Sequence, residues 1–159
     1  MSRLDTTTLE AFLRRQGVQS RLLHLDQPTR TVTEAAQALG VSPRCIVKSL
    51  LFSTVDGKCV LAVVRGDQRV DRVLLAAALG CDQLVLAPAE QVVTVTGYPA
   101  GATPPVGHAT SVPVIVDPAV LEEPIVYGGG GDDHTMLEIR PEDIIRVSGA
   151  RVVRIAQST

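Results

Sequence analysis

Apolar positions recur along this chain at two spacings, one typical of helices and the other of strands. In residues 5–16, Leu9, Phe12 and Leu13 fall on one helical face. Thr31–Glu34 fits a capping box, which predicts the start of a second helix. The segments expected to be helical after the first are residues 31–39, 71–79, 88–95 and 141–147.

Short apolar runs bounded by turn residues predict strands between these helices. The expected strands are residues 21–25, 46–52, 59–64, 84–86, 112–116, 125–127, 136–139 and 151–155. Asp56-Gly57 predicts a hairpin between two of them. Short strands interleaved with short helices predict an α+β fold with a mixed, largely antiparallel sheet. Neither a repeat nor a linker interrupts the pattern, so residues 1–159 are expected to form a single domain.

The strand at residues 46–52 contains one charged residue, Lys48, among apolar neighbours. Alternation places Lys48 and Leu50 on one face and Val47 and Ser49 on the other. A lysine in such a strand either extends its ammonium group to the edge of the sheet or points into a cleft with an anionic or carbonyl partner. Lys48 is therefore a candidate site residue, with extension to solvent as the alternative.

Residues 97–108 combine three glycines with three prolines, which excludes a helix interior or a central strand. Proline restricts the backbone and glycine permits positive φ, so the segment is expected to be a loop of defined shape with free N–H groups. Such a loop suits a small polar ligand. An ordinary surface turn is the alternative.

A second glycine-rich segment, residues 128–131, precedes Asp132, Asp133 and His134. The Gly-Lys-Ser/Thr and GxGxxG patterns of nucleotide sites are absent, and acidic residues follow. The glycines therefore indicate a close passage of backbone past a ligand, with His134 at its rim. A hydrogen-bonded surface histidine is the alternative.

Composition narrows the class of protein. With 45% hydrophobic and 20% charged residues the chain is globular. Its net charge of −2 and 3% aromatic content argue against a base-stacking platform, although basic residues are in excess in the first half. Three cysteines without a CxxC pair, and scattered histidines, predict no disulfide framework, metal or cofactor. No membrane-spanning run or signal sequence is recognised, so a cytoplasmic location without membrane association is expected.

The sequence resembles the YbaK/ProX family of aminoacyl-tRNA deacylases, which are similar to the editing insertion domain of bacterial prolyl-tRNA synthetases. The resemblance covers roughly residues 20–156 in family order. The segments that carry it are Thr33–Ala36 with Leu39–Val41, Ile46–Phe52, Val63–Asp67 with Arg69–Asp71, Gly97–Pro99, Pro104–His108, and Gly128–Gly130 with His134.

The resemblance implies a central mixed, barrel-like sheet wrapped by short helices, and hydrolysis of an amino acid wrongly esterified to tRNA. It places Lys48 in the pocket, matches Gly101–Pro105 to a Gly-xxx-Pro loop, and implies catalytic roles for Lys48, Gly101 and His134. Ser49 departs from the Asn or Thr that several subgroups have beside the lysine. The substrate-binding residues expected on this basis are Ser49, Gly97, Ala102, Thr103, Pro104, Pro105, Gly107, His108, Gly129 and Gly130.

An aminoacyl ester suits a site without a nucleophile of its own. It is activated by its α-ammonium group and the adjacent ribose hydroxyl, so positioned water, backbone N–H donors and one cation suffice. The implied substrates are alanine or cysteine on proline tRNA. Two alternatives remain: a non-catalytic module that binds an amino acid or a tRNA end, and an enzyme for another small ester or amide.

Mischarged tRNA is the expected partner, held weakly through its phosphates, and an aminoacyl-tRNA synthetase is a further candidate. The arginines expected to contact tRNA are Arg14, Arg15, Arg21, Arg30, Arg44, Arg65, Arg69 and Arg72.

Overall fold

The computed structural model describes residues 3–158, so positions 1, 2 and 159 of the expected domain lie outside the described residues. Short helices and short strands alternate along this part of the chain. The helices are α1 (Thr6–Arg15), α2 (Val32–Leu39), α3 (Arg72–Leu79), α4 (Ala89–Thr96) and α5 (Pro141–Ser148). No helix among residues 3–158 is long and apolar enough to cross a membrane.

The strands of the described residues form two sheets. They are β1 (Ser20–His24), β2 (Val47–Ser53), β3 (Cys59–Arg65), β4 (Val85–Leu86), β5 (Val114–Val116), β6 (Val126–Gly129), β7 (Thr135–Ile139) and β8 (Arg151–Val152). One sheet has the order β1-β7-β6, and the other has the order β4-β2-β3-β5-β8. Pairings are antiparallel except β3 with β5 and β5 with β8, which are parallel. The expected α+β class with mixed, largely antiparallel pairing is confirmed, and closure into a barrel stays a prediction.

Local sequence signals account for most element boundaries. Thr31 caps α2, with its hydroxyl accepting from the Glu34 N–H while the Glu34 carboxylate accepts from the Thr31 N–H. Gly40 ends that helix in the left-handed conformation, φ 68°. The Asp56-Gly57 turn joins β2 to β3, which pair from Val47–Arg65 to Ser53–Cys59. The capping box and the hairpin are therefore confirmed.

The five-stranded sheet is covered on both faces. One face packs Phe52, Val60 and Val64 against Leu75 and Ala76 of α3. The opposite face contributes to a larger apolar cluster that it shares with the three-stranded sheet. The strand residues of that cluster are Val47, Leu51, Leu61, Val63, Val114, Val116, Val126, Leu137 and Ile139. Burial on both faces explains why β2 and β3 are apolar almost throughout.

One edge of β2 is left largely unpaired. Its partner β4 contacts only Phe52 and Ser53, and a single bridge joins Ile46 to Tyr127, so no strand of the described residues pairs with the stretch between them. This gap lies between β2, the start of α2 and the three-stranded sheet. The candidate site lies in it.

Candidate functional site

A cavity of about 220 Å³ opens at the unpaired edge of β2. Three parts of the chain enclose it: the segment leading into α2, the first half of β2, and the glycine-proline loop with the adjacent sheet. Its lining residues are Thr29, Arg30, Thr31, Val32, Ala35, Ile46, Val47, Lys48, Ser49, Leu50, Gly101, Thr103, Gly129 and Met136. Five of the expected site residues, Lys48, Ser49, Gly101, Thr103 and Gly129, therefore meet here.

The ammonium group of Lys48 is held at the cavity wall by the loop between β3 and α3. Nζ donates a hydrogen bond to the Gln68 carbonyl oxygen at 2.5 Å. The loop is itself fastened, because the Gly66 N–H donates to the Ile46 carbonyl (2.6 Å) and the Arg65 guanidinium contacts the Asp67 carboxylate (2.6 Å). Lys48 is half-buried with a carbonyl partner, which is the cleft arrangement and not the solvent-extended one.

Lys48 lies in an unfavourable electrostatic environment. Burial lowers the pKa of its ammonium group, and the nearby Arg69 charge lowers this pKa further, while the Asp67 carboxylate opposes both. The Asp67 carboxylate is at the same time engaged by Arg65. An anion that entered the cavity would relieve this imbalance.

The side-chain hydroxyl of Ser49 is buried, and its oxygen has no hydrogen-bond partner among the described residues. An unpartnered buried hydroxyl costs free energy unless water or a ligand satisfies it. Because Ser49 lines the cavity, a molecule bound there is within its reach.

The glycine-proline loop offers backbone donors at the same cavity. Gly101 has φ 85° and is exposed, while Thr103 is buried and its hydroxyl donates to the Pro99 carbonyl (3.1 Å). The Ala102 N–H donates to Pro99 (3.1 Å), but those of Gly101 and Thr103 bond no other described residue. Two unused N–H groups therefore belong to residues that line the cavity.

The second glycine-rich segment packs against the backbone of this loop, and its Gly129 also lines the cavity. A Cβ on Gly129 would lie 2.7 Å from the Ala102 carbonyl carbon and closer still to the Thr103 oxygen. The Gly131 N–H donates to the Ala102 carbonyl at 3.0 Å. Glycine is needed here because two backbones touch, and the contact holds the loop against the end of β6.

His134 does not line the cavity. Its Nδ1 lies 2.6 Å from the Asp133 carboxylate, and its side chain is half exposed. Donor atoms of Asp132, Asp133 and His134 lie within 4.8 Å of one another, so these residues could contact a cation, but they form an exposed cluster outside the cavity. The contacts match the alternative of a hydrogen-bonded surface histidine.

The other expected substrate-binding residues also lie outside the cavity lining. Most of them belong to the glycine-proline loop and make contacts that hold it in place. The Gly97 carbonyl accepts from the Leu4 N–H (2.8 Å), and the His108 imidazole donates to the Pro104 carbonyl (2.6 Å). Burial lowers the pKa of His108, which favours the neutral ring. The remaining residues pack within the protein or against α1 and β7: Ala102, Pro105, Gly107 and Gly130.

Several lining residues were missed by reading the sequence. Val32, Ala35, Ile46, Leu50 and Met136 supply apolar surface to the cavity. Helical and strand spacing identified their elements, but the same spacing predicts ordinary core residues. The one available signal was that Ala35, Ile46 and Leu50 belong to segments that carry the family resemblance.

A family model and several curated proteins match the amino-acid sequence of this chain. The model for the aminoacyl-tRNA editing domain matches residues 26–147, so the chain belongs to that family. A proline–tRNA ligase of Pelotomaculum thermopropionicum is 34% identical over 130 residues, which is 81% of this chain and 22% of the ligase. A proline–tRNA ligase of Citrifermentans bemidjiense is 38% identical over 95 residues, 59% of this chain and 16% of the ligase. The chain thus spans only a minor part of these relatives.

Two crystal structures match over nearly the whole chain. A protein described as a trans-editing enzyme for prolyl tRNA synthetase superposes with a TM-score of 0.89 and 32% identity, covering 96% of this chain and 97% of that one. A hypothetical protein superposes with a TM-score of 0.88 and 37% identity, covering 94% and 99%. The chain is thus homologous to the editing insertion domain of prolyl-tRNA synthetases and close in fold to a free-standing relative.

Proposed function

We propose that this protein hydrolyses the ester bond of mischarged aminoacyl-tRNA, that residues 1–159 act as a single editing domain, and that it works in the cytoplasm. Alanine or cysteine on proline tRNA is the proposed substrate. The observation that carries the proposal is the meeting of Lys48, the unpartnered Ser49 hydroxyl and the Gly101–Thr103 backbone at one small cavity. Membership of the editing-domain family and similarity to proline–tRNA ligases support it.

The size of the cavity favours a small aminoacyl group. Its volume of about 220 Å³ is below the roughly 300–1,000 Å³ of pockets for drug-sized ligands. The apolar surface of Val32, Ala35 and Met136 suits a short side chain, while Lys48 and Ser49 suit the polar ester end. In the proposed pose the tRNA lies outside and its terminal residue enters.

The proposed mechanism uses position and charge. Water attacks the ester carbonyl and releases one proton to solvent, and the N–H groups of Gly101 and Thr103 donate to the oxyanion that develops. The Lys48 ammonium places positive charge beside the ester or the terminal phosphate, and the Ser49 hydroxyl orients water or the α-ammonium group. The C–O bond then breaks and the ribose oxygen leaves as the hydroxyl after taking a proton from solvent.

A panel of mischarged tRNAs, incubated with sub-stoichiometric protein, tests the proposal. We expect catalytic release of a small amino acid from proline tRNA. Lys48→Ala should reduce the rate by about 10²-fold or more, since a single transition-state contact contributes this much. A circular dichroism spectrum and a melting curve check that the variant is folded.

Several results would contradict the proposal. Full activity of Lys48→Ala would exclude the mechanism. Stoichiometric binding without turnover would favour an amino-acid or tRNA-end binding module. Turnover of simple esters with none of charged tRNA would favour a small-ester hydrolase.

A further inference from the structure

The arginines of this protein differ in whether a carboxylate neutralises them. Among those expected to contact tRNA, several form ion pairs within the chain, with Arg30 the most distant at 4.0 Å from its partner. These pairs are Arg14–Glu10, Arg21–Glu138, Arg30–Asp133, Arg44–Glu123 and Arg65–Asp67. Within residues 3–158, Arg15, Arg69 and Arg72 form none, and all three are exposed. Of the arginines expected to contact tRNA, these three have no carboxylate partner among residues 3–158.

Arg69 and Arg72 lie on the side of the cavity where Lys48 is held. Arg69 directly follows Gln68, whose carbonyl accepts from Lys48, and its charge acts on that ammonium group. Arg72 begins α3, and its guanidinium carbon lies 5.9 Å above the centroid of the Phe52 ring. Phe52 and Lys48 share one face of β2 and are separated by about 13 Å along the strand.

Nearby carboxylates do not offset these charges. The Asp67 carboxylate accepts hydrogen bonds from two nitrogens of Arg65, Nη2 at 3.0 Å and Nε at 2.6 Å. Asp71 caps α3, where its carboxylate accepts from the N–H groups of Val73 (2.9 Å) and Leu74 (3.2 Å). Arg69 and Arg72 therefore form no ion pair with a described carboxylate, and Asp67, which acts on Lys48, is shared with Arg65.

The guanidinium groups of Arg69 and Arg72 could each bind one of two successive phosphates. A guanidinium stacked on an aromatic ring keeps its N–H donors free at its rim, and its planar fork matches two phosphate oxygens. A nucleic-acid strand supplies such anions at regular intervals. Lys48 lines the cavity, whereas Arg69 and Arg72 are exposed and lie outside its lining. The phosphates that precede a terminal residue bound in the cavity would also lie outside it.

We propose that Arg69 and Arg72 form a docking ledge for the phosphate backbone of the single-stranded 3′ end of tRNA. This inference rests on the proposed function, since it takes aminoacyl-tRNA as the substrate. The ledge guides the strand toward Lys48, and the buried Phe52 ring supports the Arg72 guanidinium from beneath. Arg15, on α1 and outside the cavity lining, is not part of it.

Binding of two uncharged RNA hairpins, measured by fluorescence anisotropy, tests the ledge. One hairpin has a single-stranded 3′ extension and the other is blunt. We expect Arg69→Gln/Arg72→Gln to weaken binding of the extended hairpin by roughly tenfold at low salt. The slope of log K against log salt should become less steep by about 1.4, since each contacted phosphate of a single strand contributes about 0.7. Binding of the blunt hairpin should change little.

Arg3→Gln/Arg15→Gln is the matched control, because it removes the same charge from exposed arginines that form no ion pair within residues 3–158. Its affinity for the extended hairpin should stay within about twofold of the unmodified protein. Equal weakening by the two double variants, or an unchanged salt slope, would overturn the ledge. Melting curves confirm that each variant is folded.

Turnover of charged tRNA separates this inference from the proposed function. If the unmodified protein deacylates and Arg69→Gln/Arg72→Gln keeps the same KM, the ledge is wrong and the proposed function stands. If no charged tRNA is deacylated but the ledge variant still loses affinity for the extended hairpin, the docking inference stands and the deacylase assignment fails.

Discussion

At the scale of single residues, the charge of Lys48 depends on its neighbours. The carbonyl of Gln68 accepts its hydrogen bond, while Arg69 and Asp67 act on it with opposite sign. Arg65 holds the Asp67 carboxylate and also contacts Glu122 at 3.2 Å. We infer that this group of residues positions Lys48, and that Asp67 favours its protonated form against burial and Arg69.

Asp67→Asn should move the alkaline limit of activity to lower pH. The Asp67 carboxylate opposes the lowering of the Lys48 pKa by burial and Arg69, so its removal lowers that pKa further. If the ammonium form is the active one, activity is lost as pH rises through this pKa. Arg69→Gln should shift the limit in the opposite direction. A pH–rate profile, corrected for spontaneous ester hydrolysis, measures both shifts.

The controls for this pair of variants are Asp67→Glu and Asp82→Asn. The first keeps the charge and should restore most of the original profile. The second removes an exposed carboxylate that neither pairs with a described cation nor lines the cavity. Superimposable profiles for Asp67→Asn and the unmodified protein would show that Lys48 does not act through its charge.

At the scale of elements, the cavity depends on one contact between a strand and a loop. The last residue of β6, Gly129, touches the backbone of Ala102 and Thr103, and Gly131 donates to Ala102. The contact holds two free N–H groups of the loop beside β2. A shift of the end of β6 would therefore also move the glycine-proline loop.

Gly129→Ala should lower both stability and activity. The added methyl group would collide with main-chain atoms, which no change of rotamer can move, and overpacking of this kind costs about 1–3 kcal/mol. We expect a melting temperature lower by several degrees and a decrease in kcat. Gly128→Ala is the matched control, since its Cβ would meet only side-chain atoms at 3.2 Å, Pro105 Cδ and Val47 Cγ2. Equal effects of the two variants would contradict the explanation.

Local signals predicted most elements, and the exceptions have long-range causes. The capping box at Thr31 and the hairpin at Asp56-Gly57 are set by neighbouring residues and are confirmed. β6 extends to Gly129, beyond its predicted end at residue 127, because Gly128 and Gly129 pair with Leu137 and Met136 of β7. The last strand stops at Val152, earlier than expected, because Asp117 engages the N–H groups of Ile155 and Ala156.

At the scale of the whole molecule, the C-terminal segment supports the loop that holds Lys48. Asp117 is buried and accepts from Ile155 (2.8 Å) and Ala156 (3.0 Å). The same segment bonds the start of α3, through Asp71 N–H to Ile155 and Gln157 N–H to Arg69. Residues far apart in sequence thus fasten the segment that carries Gln68.

Asp117→Ala should destabilise the protein by about 2–4 kcal/mol, since it leaves several buried N–H groups without an acceptor. Urea denaturation measures this change. At temperatures where the variant is folded, activity should also fall, because the β3–α3 loop loses its support. Asp117→Asn keeps one acceptor oxygen and should be intermediate. Stability equal to that of the unmodified protein would show that the segment is held by its other contacts alone.

The sequence predicts the polar and loop residues of the candidate site better than the apolar residues that line its cavity. Lys48 was singled out by its position in an apolar strand, and Gly101 and Thr103 by their loop. Val32 and Met136 could not be found in this way, because whether an apolar residue lines a cavity or fills a core depends on the packing of other elements. The family resemblance indicates a site role for His134, which stays a prediction; in the structure its ring contacts Asp133 outside the cavity lining.

The obstruction at Gly129 comes from main-chain atoms, which every amino acid possesses. Shortening a side chain in the facing loop therefore makes no room at position 129, and saturation mutagenesis should find glycine to be the most stable and most active residue there. Val32 and Ala35 line the cavity and pack with the side chains of Ile46 and Met136. Specificity can then be redesigned at the apolar wall while the frame that aligns the reacting groups stays as it is.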